Sequence, residues 1–397
     1  MTILSTRVLS SEESSTVKIA DKAKALIESG KKVIDFSAGR AFEGTPAYVL
    51  EAAIKAMRNG DTHQTRAKGT TGYRRACSFK LARENNIDAN PETEIVATMG
   101  CKQGLTISLL ALLNPGDEVI IEDPGFVSYK PTIEYLGGQA VTVPLLKENN
   151  FRWRKEQLLA AVTTKTKAII FCSPHNPTGV VHSREDLEEI ADVARMHNII
   201  VIADETYERT TWNSRTHQSI TTLPGMADLT ITLFTLTKSF SMGGWRVGFA
   251  YANPAIIEQM TKLQQHLITC VNSFVQAGGI AAFGQPPKLE VLKYWREWEE
   301  KVKYITSVIN KIDGLRCDLA EGGFYAWVNI SALNISSIDF SERLLANDYV
   351  AVVPGAAFGE MGKDYIRITC VRSWDDIKEG LLKIKDFVHH SREKLNA

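Results

Sequence analysis

Between about residues 94 and 252 the chain alternates short apolar, β-branched runs with longer stretches whose apolar positions recur at helical spacing. Glu94–Thr98, Glu118–Ile121, Ala140–Val143, Ala168–Cys172, Ile199–Ala203, Leu229–Phe234 and Val247–Tyr251 read as strands. Several are apolar almost throughout, as expected of strands covered on both faces. Between two of them, Ser183–Asn198 opens with Ser183 and Asp186 in capping-box spacing. It then sets Leu187, Ile190, Ala191 and Ala194 on one face, which predicts an amphipathic helix. Such strand–helix alternation predicts an α/β fold with a mainly parallel central sheet flanked by helices.

The pattern changes near Pro286–Pro287. Leu289, Leu292, Val302, Ile305 and Ile309 follow at helical spacing, with Trp295 and Trp298 beside them. A strand at Phe324–Ile330, a helix around Ser341–Asn347, a strand at Tyr365–Thr369 and a closing helix near Trp374–His389 come next. These elements predict a smaller α+β domain, onto which a helix at Val17–Ser29 and a strand at Val33–Phe36 pack. The expected division is an N-terminal arm with part of the small domain at 1–45, a large domain at 46–285 and the rest of the small domain at 286–397.

Composition narrows the class. Lys+Arg and Asp+Glu balance at 46 each, which argues against a nucleic-acid partner. The six cysteines are scattered without a CxxC pair, so neither a disulfide framework nor a metal site is expected. No apolar run approaches the ~20 residues needed to span a bilayer. Met1–Ser15 does not resemble a secretory signal. A cytoplasmic protein is the expectation.

The chemistry-bearing residues fall at the ends of predicted strands, where open α/β sheets place their ligand crevice. Lys238 comes just after Leu229–Phe234, in Thr235–Leu236–Thr237–Lys238–Ser239. Lysine forms Schiff bases with carbonyl compounds. Arg246, eight residues on, is a permanent forked cation suited to phosphate. Asn176 lies in the loop Ser173–Pro174–His175–Asn176–Pro177–Thr178–Gly179, which its prolines and glycine make tight. Asp204 follows Ile199–Ala203, where a carboxylate needs a cation such as a protonated pyridine nitrogen, or else caps the next helix. Tyr207 is three residues beyond. Gly100–Cys101–Lys102–Gln103–Gly104 joins a strand to a helix whose N-terminus can take a phosphate. Arg367 sits inside the apolar strand Tyr365–Thr369 and suits a bidentate carboxylate or an internal salt bridge.

In this order and spacing the features resemble the pyridoxal-phosphate-dependent class I/II aminotransferases of fold type I, aspartate-aminotransferase-like. The resemblance runs from Ile34–Gly39 to Arg367. It implies pyridoxal 5'-phosphate as cofactor, with Lys238 forming the Schiff base and moving the substrate's α-proton. It also implies that Asp204 holds the pyridinium proton, that Tyr207 and Asn176 bond the ring oxygen, and that Phe126 stacks on the ring. Arg246, Thr235 and the backbone at Gly100, Cys101 and Lys102 would hold the phosphate. Arg367 would take the substrate α-carboxylate, with Gly39 and Asn176 nearby. The Lys102 side chain matches a lysine that meets a dicarboxylic substrate's second carboxylate, though a solvated surface lysine is the competing reading. The family is commonly a homodimer with shared active sites.

The chain also departs from the family pattern. Gln64–Thr65 stands where a Tyr-Thr pair is usual, its tyrosine reaching the partner's phosphate; glutamine can still donate a hydrogen bond there. Gly39–Arg40–Ala41–Phe42–Glu43 replaces Gly-Glu-Pro-Asp-Phe and puts a cation, Arg40, at the expected rim of the site. Thr235 replaces serine or glycine, and Thr206 replaces isoleucine. The leading expectation is an aminotransferase acting on a polar or acidic L-amino acid, with a 2-oxo acid as acceptor. The alternative is a non-transaminating enzyme with the same cofactor, performing elimination, replacement or cyclisation. A cofactor-sensing regulator is disfavoured, because no basic helix–turn–helix precedes the main domain.

Overall fold

The computed structural model describes residue 3, residues 15–39 and residues 43–396. Most of the polar N-terminal stretch, and Arg40, lie outside them. Seven strands form the central sheet. In spatial order they are Ile95–Thr98, Gly248–Tyr251, Thr230–Thr235, Ile200–Asp204, Thr166–Cys172, Glu118–Asp123 and Gln139–Pro144. The last five run parallel, and Gly248–Tyr251 is antiparallel to both its neighbours. The runs that read as apolar throughout are the interior strands. Thr230–Thr235 and Ile200–Asp204 are buried almost completely, because helices cover both faces.

The Ser183 capping box forms as expected: Asp186 N donates to Ser183 Oγ at 3.2 Å and Ser183 N to Asp186 Oδ2 at 2.8 Å. The helix expected around Ser341–Asn347 starts earlier and spans Ser337–Asp348. Ser336 caps it, its hydroxyl accepting from Asp339 N at 3.0 Å. Helices Ala47–Arg58, Thr71–Asn85 and Ser273–Phe283 carried no expectation. Thr71–Asn85 buries Arg74 and Lys80 as well as apolar groups, so its apolar stripe is blurred.

A second, four-stranded antiparallel sheet brings together Val353–Pro354, Tyr365–Thr369, Tyr325–Asn329 and Arg316–Cys317. The short strand Ile34–Asp35 pairs in parallel with Val350–Ala351. Phe36, just beyond it, is fully buried in one hydrophobic cluster with Trp298, Ile305, Ile366, Ile368 and Ile384. This ties the chain between Ile34 and Gly39 to the C-terminal elements and carries Ser37–Gly39 towards the end of the central sheet.

The long helix Trp374–Asn396 meets Phe36 at Gly380, where a Cβ would lie 2.6 Å from ring carbon Cζ. Alanine is the better helix former by roughly 1 kcal/mol. The fully buried ring has nowhere to retreat, and overpacking costs ~1–3 kcal/mol. Gly380→Ala is therefore expected to lower the denaturant midpoint, whereas relief by helix propensity alone would raise it.

Candidate active site

The parallel strands end on one side of the sheet, and the loops beyond them converge on a cavity of about 150 Å³. Cys101, Lys102, Phe126, Asn176, Asp204, Tyr207, Thr235, Lys238 and Arg246 all line it. Residues from five sequence-distant segments thus meet because they lie at or just past the C-terminal end of a strand, or, for Arg246, just before the antiparallel strand Gly248–Tyr251.

Lys238 is half-buried, and its Nζ donates to the Gly39 carbonyl at 2.7 Å. It lies 5.8 Å from the ring centroids of both Tyr207 and Phe324. Arg246 holds a left-handed backbone, φ +55°, which turns its guanidinium back toward the start of helix Cys101–Leu112. Its Nη1 donates to Gly243 O at 2.9 Å and its Nη2 to Met99 O at 3.2 Å. At Gly100, φ +80°, a Cβ would stand 3.0 Å from Arg246 Nη2. Glycine there gives both the conformation and the close approach. No side chain caps that helix. Thr235 Oγ1 lies 2.8 Å from Thr237 Oγ1 and donates to Val247 O at 3.0 Å.

Asp204 sits at the floor. Its Oδ1 accepts from Thr206 Oγ1 at 2.5 Å and Thr206 N at 3.1 Å, and its Oδ2 from Tyr129 Oη at 2.9 Å. Burial raises its carboxyl above the ordinary range; these hydrogen bonds and the Lys238 charge pull it back toward ionisation. Thr206, noted in the sequence only as a departure, thus has a task. Tyr129 was missed. It lies three residues past Phe126, at the start of a short helix, and nothing in the local pattern tells its hydroxyl from a surface phenol.

Arg367 is buried on the face of the four-stranded sheet. Its Nη1 donates to Asn176 Oδ1 at 2.8 Å and its Nη2 to Ser37 O at 3.2 Å, while its Nε has no partner. The internal salt bridge left open by the sequence is not formed: among the described residues no carboxylate pairs with it. The same holds for Lys238 and Arg246. Lys102 Nζ lies 5.7 Å from the Phe126 ring centroid. Partial desolvation, then the charges of Arg246 and Lys238, lower its pKa. Lys102, Lys238 and Arg246 thus line a cavity whose floor carries a single carboxylate, Asp204, with Arg367 adjoining it through Asn176.

Gln64 is exposed and does not line this cavity within one chain. Tyr325, also unforeseen, lies behind Tyr207 with the two hydroxyls 2.8 Å apart. Among the described residues one cluster has metal-ligand composition: Glu205, Glu208 and His217 place ligand atoms within 4.8 Å of one another. All three already have protein partners. Glu205 accepts from Ser219 and meets His217, while Glu208 is ion-paired with Lys80 and bonded by Asn85.

Comparisons with known proteins give the family. Residues 31–384 match the family model described as aminotransferase class I and II. An aspartate aminotransferase of Pyrococcus abyssi is 38% identical over 363 residues, 91% of this chain and 93% of its own. The solved aspartate aminotransferase of Thermus thermophilus with maleate superposes with a TM-score of 0.92 at 30% identity, covering 97% of this chain and 100% of its own. The aromatic aminotransferase of Pyrococcus horikoshii OT3 superposes with a TM-score of 0.88 at 36% identity, covering 94% and 99%. On a family match across most of its length and relatives above 35% identity, this chain belongs to the class I and II aminotransferases and is an aminotransferase.

Proposed function

We propose that this aminotransferase holds pyridoxal 5'-phosphate between Phe126 and Lys238 and moves the amino group of an acidic L-amino acid to a 2-oxo acid. The observation that carries the reading is the charge balance of the cavity: Lys238 and Arg246, which line it, and Arg367, bonded to its lining residue Asn176, lack carboxylate partners among the described residues, while the lining holds one buried carboxylate, Asp204. A phosphate and a substrate carboxylate would supply the missing anions, and a protonated pyridine nitrogen the cation that Asp204 lacks. The donor set therefore fits the cofactor. When bound, it supplies an aldehyde for amine capture and a ring that accepts electrons from the substrate's α-carbon.

The residues then divide the work. Arg246, the uncapped N-terminus of helix Cys101–Leu112 and Thr235 hold the phosphate, with Gly100 admitting it closely. Phe126 covers one face of the ring. Asp204, whose hydrogen bonds from Thr206 and Tyr129 favour the ionised form against burial, would hold the ring nitrogen's proton, while Tyr207 and Asn176 would reach the ring oxygen. Arg367 takes the α-carboxylate beside Gly39. Lys238 Nζ anchors the cofactor, and once released it takes and returns the proton at the substrate's α-carbon. Lys102 at the mouth favours a second carboxylate, in keeping with the aspartate named for several relatives and the maleate named with the Thermus structure. The division into residues 46–285 and 286–397, with 1–45 joining the latter, belongs to the same reading.

Lys238→Ala is expected to abolish both turnover and the cofactor's visible absorption; survival of both would overturn the assignment. In the wild type, an amino-acid panel should convert the cofactor to its amine form, which 2-oxo acids then reverse. Ammonia release or a cyclic product without that form would point to the non-transaminating alternative. Arg367→Ala removes charge-assisted hydrogen bonds worth ~1.5–3 kcal/mol, so KM for the amino acid should rise roughly 10- to 150-fold. An unchanged KM would exclude Arg367 from substrate binding.

A homodimer fits the surface. Leu50, Met57, Phe79 and Ile280 are exposed on helix Ser273–Phe283 and the two helices it packs against, Ala47–Arg58 and Thr71–Asn85. Gln64, in the connection beside them, would reach the partner's phosphate. Phe79→Glu should shift the wild-type dimer to monomer in sedimentation and weaken cofactor retention. A monomeric wild type would end this part of the reading.

A further inference from the structure

Tyr325 lies outside the cavity lining yet touches three parts of the site. It is almost completely buried, and its hydroxyl lies 2.8 Å from that of Tyr207. Its ring lies 4.1 Å from the Arg367 guanidinium carbon, a cation–π distance. Its oxygen would be 2.7 Å from a Cβ at Gly39, whose carbonyl accepts from Lys238. Among the described residues no other hydrogen bond reaches the Tyr325 hydroxyl, and only Tyr207 of the two phenols lines the cavity. Two hydroxyls in contact share one hydrogen bond, which leaves one proton over. If Tyr325 is the donor, that proton belongs to Tyr207 and faces the ligand.

We infer that Tyr325 is a positioning residue. Its hydroxyl donates to Tyr207 and so aims the Tyr207 proton at the cofactor's ring oxygen, while its ring backs the carboxylate-binding face of Arg367. The inference rests on the cofactor reading above. The charged and titratable groups facing the pair are Arg367 on the neighbouring strand, Lys238 beyond the end of the central sheet and Cys172 at the end of strand Thr166–Cys172, and Lys238 is itself faced by Asp204, Lys102 and Cys101. A proton donated to the ring oxygen stabilises negative charge there. This lowers the pH midpoint at which the nitrogen joining cofactor and Lys238 loses its proton. The opposite donor sense would turn the Tyr207 proton away from the ligand and raise that midpoint.

The test is a pH titration of the visible absorption band of the cofactor-loaded protein, alongside steady-state kinetics. Tyr325→Phe keeps the ring and removes the hydroxyl. It should raise the midpoint by a few tenths of a pH unit, because Tyr207 keeps its proton and loses only the bond that aims and polarises it. KM for the amino acid should stay within about twofold. Tyr325→Leu also removes the ring and should raise KM about fivefold, as expected for a lost cation–π contact. A midpoint in Tyr325→Phe that is unchanged or lower overturns the inference, as does loss of the cofactor from that variant with its far-ultraviolet dichroism intact. A wild type with no visible band after loading would overturn the cofactor reading itself, and a band that does not move with pH would overturn the inference alone, so the two failures are distinguishable.

Discussion

Lys238 and Arg246 line a cavity whose floor carries one buried carboxylate, Asp204, and a third cation, Arg367, adjoins it through the lining residue Asn176. Burying charge without a partner is costly, and folded chains normally pair such groups internally. Here the guanidinium and ammonium groups are held by backbone carbonyls and an amide oxygen instead: Gly39, Met99, Gly243, Ser37 and Asn176. Dipoles of this kind orient a cation without neutralising it. The field remains available to a ligand, and the proposed cofactor and substrate carry the anionic groups to meet it.

Much of the fold serves to keep these charges apart yet aimed at one place. Parallel strands deliver Asn176, Asp204 and Lys238 from their C-terminal ends, at lateral spacings set by the sheet ladder. Gly100 and the left-handed backbone of Arg246 allow an arginine to lie across a helix N-terminus. The hydrophobic cluster around Phe36 and Trp298 carries Ser37–Gly39 and Arg367 to the opposite wall. Asp204 shows how finely this is balanced. Burial pushes its carboxyl toward neutrality, and three hydrogen bonds from Thr206 and Tyr129 oppose it.

Legibility in the sequence followed the range of the interactions. Strands buried on both faces announce themselves by composition, and the Ser183 capping box by residues three apart. Helix Thr71–Asn85 did not, because Arg74 and Lys80 point inward to partners distant in sequence: Glu92 for Arg74, Glu208 for Lys80. Among site residues, Lys238, Asp204, Asn176 and Arg246 stood out because each follows a strand within a short motif. Tyr129 and Tyr325 did not, since an aromatic at a helix start or in an apolar strand reads as core until its hydroxyl's partner is known. Thr206 was visible only as an oddity. Gln64 is exposed within the single chain, so its proposed place in the site depends on a second copy.

The sequence alone determined the class of fold, the strand ends that carry chemistry and the kinds of group available there, because these depend on local periodicity and on residue type. It left Arg367 open between a salt bridge and a ligand contact, and was silent on what holds Asp204 and what stands behind Tyr207. Only the tertiary structure decided those points. Charge pairing and hydroxyl orientation depend on which segments meet, and Arg367 meets Asn176 and Ser37 from 191 and 330 residues away rather than any carboxylate.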